Sequence, residues 1–158
     1  MSDLVDKLSQ RLREREWKLV TAESCTGGMI ATAITDKAGS SDIFDRGYVT
    51  YSNQAKIDCL GVSEKTLQKF GAVSMETAEE MAKGALDHSD ANISVSVTGI
   101  AGPGGGTAQK PVGLVYIGYG LKGGVVQARA FNFTGKNREE VRLETTRAAI
   151  NELLSILN

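Results

Sequence analysis

The stretch Leu19-Val20-Thr21-Ala22-Glu23-Ser24-Cys25-Thr26-Gly27-Gly28 restricts the fold more than any other. A short apolar run ends in carboxylate, hydroxyl and thiol groups, and two glycines follow where the helical pattern of Met29, Ile30, Ala33 and Ile34 begins. This predicts a strand that delivers Ser24 to a helix N-terminus, an α/β arrangement. Unpaired amides gather at such a terminus and its first turn favours negative charge, so an oxyanion or phosphate fits there. Ser and Thr are also ordinary N-cap residues, and a plain cap is the competing reading. A cap needs one hydroxyl, however, and two glycines in a first helical turn cost roughly 1 kcal/mol each relative to alanine. Close approach of the backbone to a ligand would account for that cost.

The rest of the chain alternates the two periodicities. Leu4, Val5, Leu8 and Leu12 predict an amphipathic helix from an N-cap at Ser2 to Arg15, and residues 17–22 the first strand. A helix follows over 25–35 and an aromatic, β-branched strand over 44–51. Ser52 caps a short helix over 53–60, and a second short helix spans 64–70. Ser74 caps a longer helix with Ala78, Met81, Ala82 and Ala85 inward, although Thr77 in the third position leaves no reciprocal capping box. Ile93, Val95 and Val97 alternate with Ser94, Ser96 and Thr98, a strand whose small polar face suits the underside of a helix. Residues 112–119 and 125–133 are strands joined by the glycine-bearing connector 120–124, which predicts an antiparallel hairpin. A helix over 136–154 ends the pattern, with Val141, Ala148, Ile150 and Leu153 inward. The expected fold class is α/β: one domain over residues 1–158, a three-layer α/β/α sandwich with a mixed sheet including an antiparallel hairpin.

A net charge of -1 supplies no broad basic field, which argues against nucleic acid and anionic membrane as partners. Any phosphate must be met by a few local groups. Two cysteines without paired spacing and a single histidine make zinc and disulfide-scaffold readings weak. The N-terminal residues are charged and helical in pattern, and no apolar run approaches the length of a membrane span, so a cytoplasmic protein is expected.

The only histidine, His88, sits beside Asp87 and near Asp90 at a predicted helix end, which reads as a surface position and leaves a Ser-His-Asp triad without its base. Lysine can take that role when burial or a neighbouring cation lowers its pKa. Lys56 has the best local setting. It shares a helix face with Asn53, just after Tyr51 and Ser52 at a strand-to-helix junction. A tyrosine hydroxyl there can orient the lysine or relay its proton to a leaving amine. An ordinary solvated lysine and a core tyrosine are the competing readings. Cys25, next to Ser24, is a second candidate nucleophile if the helix terminus lowers its pKa, and a buried structural thiol otherwise.

Eighteen glycines exceed the usual share of about 7%, and several fall in the loop 99–107. That loop lacks the Gly-Lys-Ser/Thr of a Walker A motif and the Rossmann spacing. Successive glycines after a strand can still turn amides toward an anion. A mobile surface loop is the alternative, against which Ile100 and Pro103 argue. Lys110, Arg129, Arg138 and Arg142 are the cations available to a phosphate.

Four motifs stand in order: Ala22-Glu23-Ser24-Cys25-Thr26-Gly27-Gly28, Gly47-Tyr48-Val49-Thr50-Tyr51-Ser52-Asn53 through Lys56, Thr98-Gly99-Ile100-Ala101-Gly102-Pro103-Gly104-Gly105, and Lys110-Pro111-Val112-Gly113. Together they resemble the C-terminal domain of competence/damage-inducible CinA proteins and the stand-alone nicotinamide-nucleotide amidases, over nearly the whole chain. The resemblance implies hydrolysis of the carboxamide of nicotinamide mononucleotide to nicotinic acid mononucleotide and ammonia, with Ser24, Tyr51 and Lys56 in the catalytic positions. It also implies a homo-oligomer with no required metal or organic cofactor, whose partner is a small-molecule pyridine nucleotide. In that scheme amides around Thr26, Gly27 and Gly28 hold the oxyanion and Asn53 helps to position the substrate. Gly102, Gly104, Gly105, Gly106 and Thr107 hold the phosphate with an arginine, Arg142. A non-catalytic nucleotide-binding or oligomeric accessory domain is the alternative function.

Overall fold

In a computed structural model that describes all 158 residues, the strands are β1 (Leu19–Glu23), β2 (Phe44–Val49), β3 (Ile93–Gly99), β4 (Leu114–Leu121) and β5 (Val126–Asn132). They form one sheet in the order β2-β1-β3-β4-β5. β1 pairs in parallel with β2 and β3, while β3 with β4 and β4 with β5 are antiparallel. The β4–β5 pair is the hairpin expected from the glycine-bearing connector. Parallel neighbours need crossover connections, and the helices supply them.

α1 (Ser2–Glu14), α2 (Met29–Thr35) and α6 (Arg138–Leu157) cover one face; α3 (Asn53–Leu60), α4 (Glu64–Phe70) and α5 (Met75–Asp87) cover the other. This is the expected three-layer α/β/α sandwich. Every residue of β1 is buried, as befits a strand covered on both faces. Leu19 joins the core beneath α1, α2 and α6, whereas Val20 and Ala22 join the core beneath α3, α4 and α5.

The small polar face of β3 lies beneath α5, and its hydroxyls find acceptors on α5 and on the segment just before it. Ser94 donates to the Ala82 carbonyl at 2.8 Å, Ser96 to Ala78 at 2.6 Å and Thr98 to Ala72 at 2.8 Å. Gly84 lets α5 approach the end of α3, because a Cβ there would stand 1.9 Å from the Leu60 carbonyl oxygen. No helix is long and apolar enough to cross a membrane.

Several boundaries differ from the sequence expectation. Met1, not Ser2, occupies the N-cap position of α1, and the Ser2 hydroxyl instead accepts from Lys37 at 2.6 Å. β1 runs on to Glu23, and β2 stops at Val49, short of Tyr51. α2 begins at Met29 rather than Cys25. Gly27 and Gly28 have φ of 60° and 104°, so they form the turn ahead of the helix and are not in its first turn. α6 starts at Arg138 and reaches Leu157. Asn137 and Glu140 close its N-terminus with the reciprocal capping box that Ser74 and Thr77 cannot make.

Candidate active site

The parallel strands β1, β2 and β3 end on the same side of the sheet. The chain leaves β1 for a neighbour on one side and later returns to β3 on the other, which opens a crevice at the strand ends. Ser24 follows β1, Tyr51 follows β2 and the glycine loop follows β3, so all three converge there. They line a cavity of about 270 Å³ together with Lys56 and Arg138.

Ser24 is held by its own backbone. Its amide donates to the Val97 carbonyl at 3.1 Å, and its carbonyl accepts from the Gly27 amide at 3.0 Å. Behind it, the buried Glu23 carboxylate accepts from the Thr26 hydroxyl at 2.6 Å, the Ile30 amide at 2.9 Å and the Ala31 amide at 3.1 Å. The N-terminus of α2 is therefore already occupied by an anion of the chain itself. This corrects the expectation that the terminus receives an external oxyanion or phosphate. The amides of Cys25, Thr26 and Gly28, which lie in the turn before the helix, donate to no acceptor in the protein.

Ser52 accepts from the Ala55 amide at 3.0 Å and so caps α3, which carries Lys56 inward. Lys56 is only 1% exposed. Its Nζ lies 2.9 Å from Ser24 Oγ, 2.8 Å from the Thr50 carbonyl oxygen and 3.2 Å from the Tyr51 carbonyl oxygen. Burial lowers its pKa from 10.5 to about 8. The three partners suit the neutral amine. Two carbonyls can only accept, taking its two N–H bonds, while the hydroxyl can donate to its lone pair.

The Cys25 thiol also lines the cavity, but burial pushes its pKa up to about 11 and keeps it protonated at neutral pH. His88 lies at the end of α5 with Nδ1 2.7 Å from the Gly84 carbonyl, the helix-end position expected of it.

Tyr51 meets Ser24 and Lys56 through its backbone carbonyl. The residue is 61% exposed, and its hydroxyl accepts from Arg138 at 3.1 Å. The direct hydroxyl contact with Lys56 that the sequence reading allowed is not made here. Arg138 also donates to the Gly102 carbonyl at 2.8 Å.

The glycine loop is anchored at both ends by the Ile100 amide on Leu114 (2.9 Å) and the Thr107 amide on Lys110 (2.8 Å). Between these anchors the amides of Ala101, Gly102, Gly104, Gly105 and Gly106 have no acceptor in the protein. Gly102, Gly104 and Gly105 line the cavity, whereas Gly106 packs against the Val112 amide and Thr107 closes a turn by accepting from the Lys110 amide at 3.0 Å. Asn53 lines a different depression on the α3–α4 side. Arg142 does not line the cavity. It donates to the carbonyls of Cys25 at 3.0 Å and Thr26 at 3.2 Å, and so braces the turn that carries Ser24.

Two residues gain a place that the sequence reading did not give them. Glu23 was legible only as a carboxylate beside a candidate nucleophile. Arg138 was one of four candidate cations, and the Asn137/Glu140 capping box was a signal that would have set it at the start of a helix, though not one that says that the helix end faces the loop. No group of three His, Cys, Asp or Glu side chains is placed to hold a metal ion.

Comparison with known proteins agrees with this architecture. The chain is 52% identical to the nicotinamide-nucleotide amidohydrolase PncC of Enterobacter agglomerans over 144 residues, 91% of this chain and 87% of that protein. A longer competence-damage inducible relative from Caldicellulosiruptor bescii is 51% identical over 90% of this chain, which spans 34% of that relative's length. The crystal structure of competence/damage inducible protein CihA from Agrobacterium tumefaciens superposes with a TM-score of 0.97 at 48% identity, covering 99% of this chain and 95% of that one. The family model described as the CinA C-terminal domain matches residues 1–157. By sequence and by fold, then, the chain belongs to the CinA C-terminal domain family.

Proposed function

We propose that this protein hydrolyses the carboxamide of nicotinamide mononucleotide to nicotinic acid mononucleotide and ammonia. The observation that carries this reading is the 2.9 Å approach of a buried lysine amine to the Ser24 hydroxyl, in a chain 52% identical to an enzyme named for amidohydrolysis of a nicotinamide nucleotide.

Neutral Lys56 takes the Ser24 proton, and Ser24 Oγ bonds to the carboxamide carbon as the C=O electron pair moves onto oxygen. In this reading the unpaired turn amides of Cys25, Thr26 and Gly28 supply the donors for this charge, with Cys25 the one of these residues that lines the cavity and Gly27 shaping the turn. One such donor contributes about 3 to 4 kcal/mol in a well-studied protease. The C–N bond then breaks, and the departing nitrogen leaves as ammonia with the proton that Ser24 released. Tyr51 assists that transfer. Water, deprotonated by Lys56, releases the nicotinate product and restores Ser24. The phosphate rests on the free amides of Gly102, Gly104 and Gly105, with Gly106 and Thr107 shaping the loop. Arg138 lines the cavity and meets the phosphate, and Arg142 holds the nucleophile turn. Asn53 lies outside the cavity and takes no part in this reading.

Ammonia release is the test. Nicotinamide mononucleotide should be turned over with little release from free nicotinamide, and Ser24→Ala and Lys56→Ala should each lose at least about a hundredfold in kcat while melting as folded proteins. Full activity in either variant would reject the mechanism. Binding of the mononucleotide with no ammonia from the unaltered protein would favour the accessory-domain reading, which relatives more than twice as long as this chain support. In the same reading the protein acts in the cytoplasm as a homo-oligomer without metal or organic cofactor, and light scattering measures the assembly.

A further inference from the structure

Arg138 extends both arms of its guanidinium to the mouth of the catalytic cavity, one to the Gly102 carbonyl and one to the Tyr51 hydroxyl. It belongs to none of the ion pairs in the protein. Its charge is thus held by two neutral oxygens beside a loop whose amides at Gly102, Gly104 and Gly105 are unused. A phosphate is a stronger acceptor than a carbonyl or a phenol, and it matches the planar fork of a guanidinium with two parallel bonds. A phosphate seated on the loop therefore competes for the same donors that hold Tyr51.

The Tyr51 ring is on the surface while its backbone carbonyl touches both Lys56 and Ser24. A rotation about its own side-chain bonds is enough to change where the hydroxyl lies, with the backbone contacts left in place. The guanidinium is what holds the phenol outward.

From this arrangement we infer that Arg138 is a phosphate-operated latch on Tyr51: the phosphate of the substrate draws the guanidinium away, and the released phenol turns inward to serve the leaving nitrogen. The inference rests on the amidase reading above. In the step it assigns, the Tyr51 O–H bond breaks as a new N–H bond forms on the departing nitrogen, and Tyr51 regains its proton from the Lys56 ammonium. Atoms and charge balance, since the proton is the one first taken from Ser24. The phosphate has differential affinity for the two states because it takes the Nη2 arm that otherwise holds Tyr51. Nicotinamide without a phosphate leaves the latch closed, so rejection of the truncated substrate arises in the chemical step as well as in binding.

The test uses nicotinamide riboside, the substrate without its phosphate, with inorganic phosphate as the separate probe. Added phosphate should raise riboside deamidation by the unaltered protein about tenfold, the population shift that one hydrogen bond to a charged group sustains. Arg138→Ala should turn over riboside about tenfold faster than the unaltered protein does without phosphate, and should not respond to phosphate. A purely binding arginine predicts no such rise. Arg138→Lys keeps a cation but cannot span both oxygens, so it should show the raised riboside rate with a mononucleotide KM closer to that of the unaltered protein. Tyr51→Phe should be slow and indifferent to phosphate. Phosphate activation that is absent from the unaltered protein, or that persists in Arg138→Ala or Tyr51→Phe, overturns the latch. Failure of the amidase reading is distinct, because then the mononucleotide itself yields no ammonia.

Discussion

Lys56 is a cation buried against two carbonyls and a hydroxyl, with no carboxylate to offset its charge. In the proposed mechanism only its neutral form accepts the Ser24 proton. With a pKa near 8, kcat/KM should rise about tenfold per pH unit below that value and level off above it, and a pH profile of ammonia release checks this. The same burial bears on stability. The folded pKa lies below the unfolded one, so between about pH 8 and 10.5 the unfolded chain binds the extra proton and stability rises with pH. Below pH 8 both states are protonated and the full cost of burying the charge persists, at most about 3 kcal/mol. Lys56→Met should abolish turnover, raise the unfolding midpoint at pH 7 and remove the alkaline rise, as urea titrations at several pH values would show. A flat midpoint in the unaltered protein from pH 7 to 10.5 would contradict this account.

At the scale of elements, the junction of β1 and α2 is organised by Glu23. Glu23→Ala strands a hydroxyl and two amides, which at about 1 kcal/mol or more each should cost about 3 kcal/mol. Turnover should fall with stability as the turn bearing Ser24 relaxes. Glu23→Gln keeps one acceptor oxygen and should lie between the two, and chemical denaturation alongside kinetics measures both effects. The strand-then-helix character of this junction was legible in the sequence because its apolar run and its helical spacing change within a few residues. The anion at its helix terminus was misread, since nothing in the spacing tells a carboxylate that points back into the chain from one that faces a ligand. Lys56 was legible for a local reason, as the Ser52 cap and the short helix fix the face on which it lies. Arg142 and Arg138 were not distinguishable. They lie about one helical turn apart on α6, and which of them meets the loop depends on how α6 packs, a tertiary property.

For the whole molecule, the sheet gathers the site by topology. Three parallel strand ends bring residues from the first third, the middle and the last loop of the parallel half to one edge, and α6 closes over them. The pairing of β3 and β4 was less visible in the sequence than the β4–β5 hairpin, because a long glycine-rich loop carries no turn signature. A sheet shared by all these elements should unfold as one unit. The single tryptophan, Trp17, packs partly buried against the core under α1 and α6, so its fluorescence and the far-ultraviolet circular dichroism should report coincident urea transitions. Separated transitions would divide the chain into more than one cooperative unit.

The order of elements along the chain carries one more consequence, from the brace that Arg142 places on the Cys25 and Thr26 carbonyls. During synthesis the serine and the lysine leave the ribosome long before α6 does. If the proposed mechanism holds, the nascent chain has both reacting groups before it has the arginines that hold the turn and the cavity mouth, so turnover should require α6 to dock.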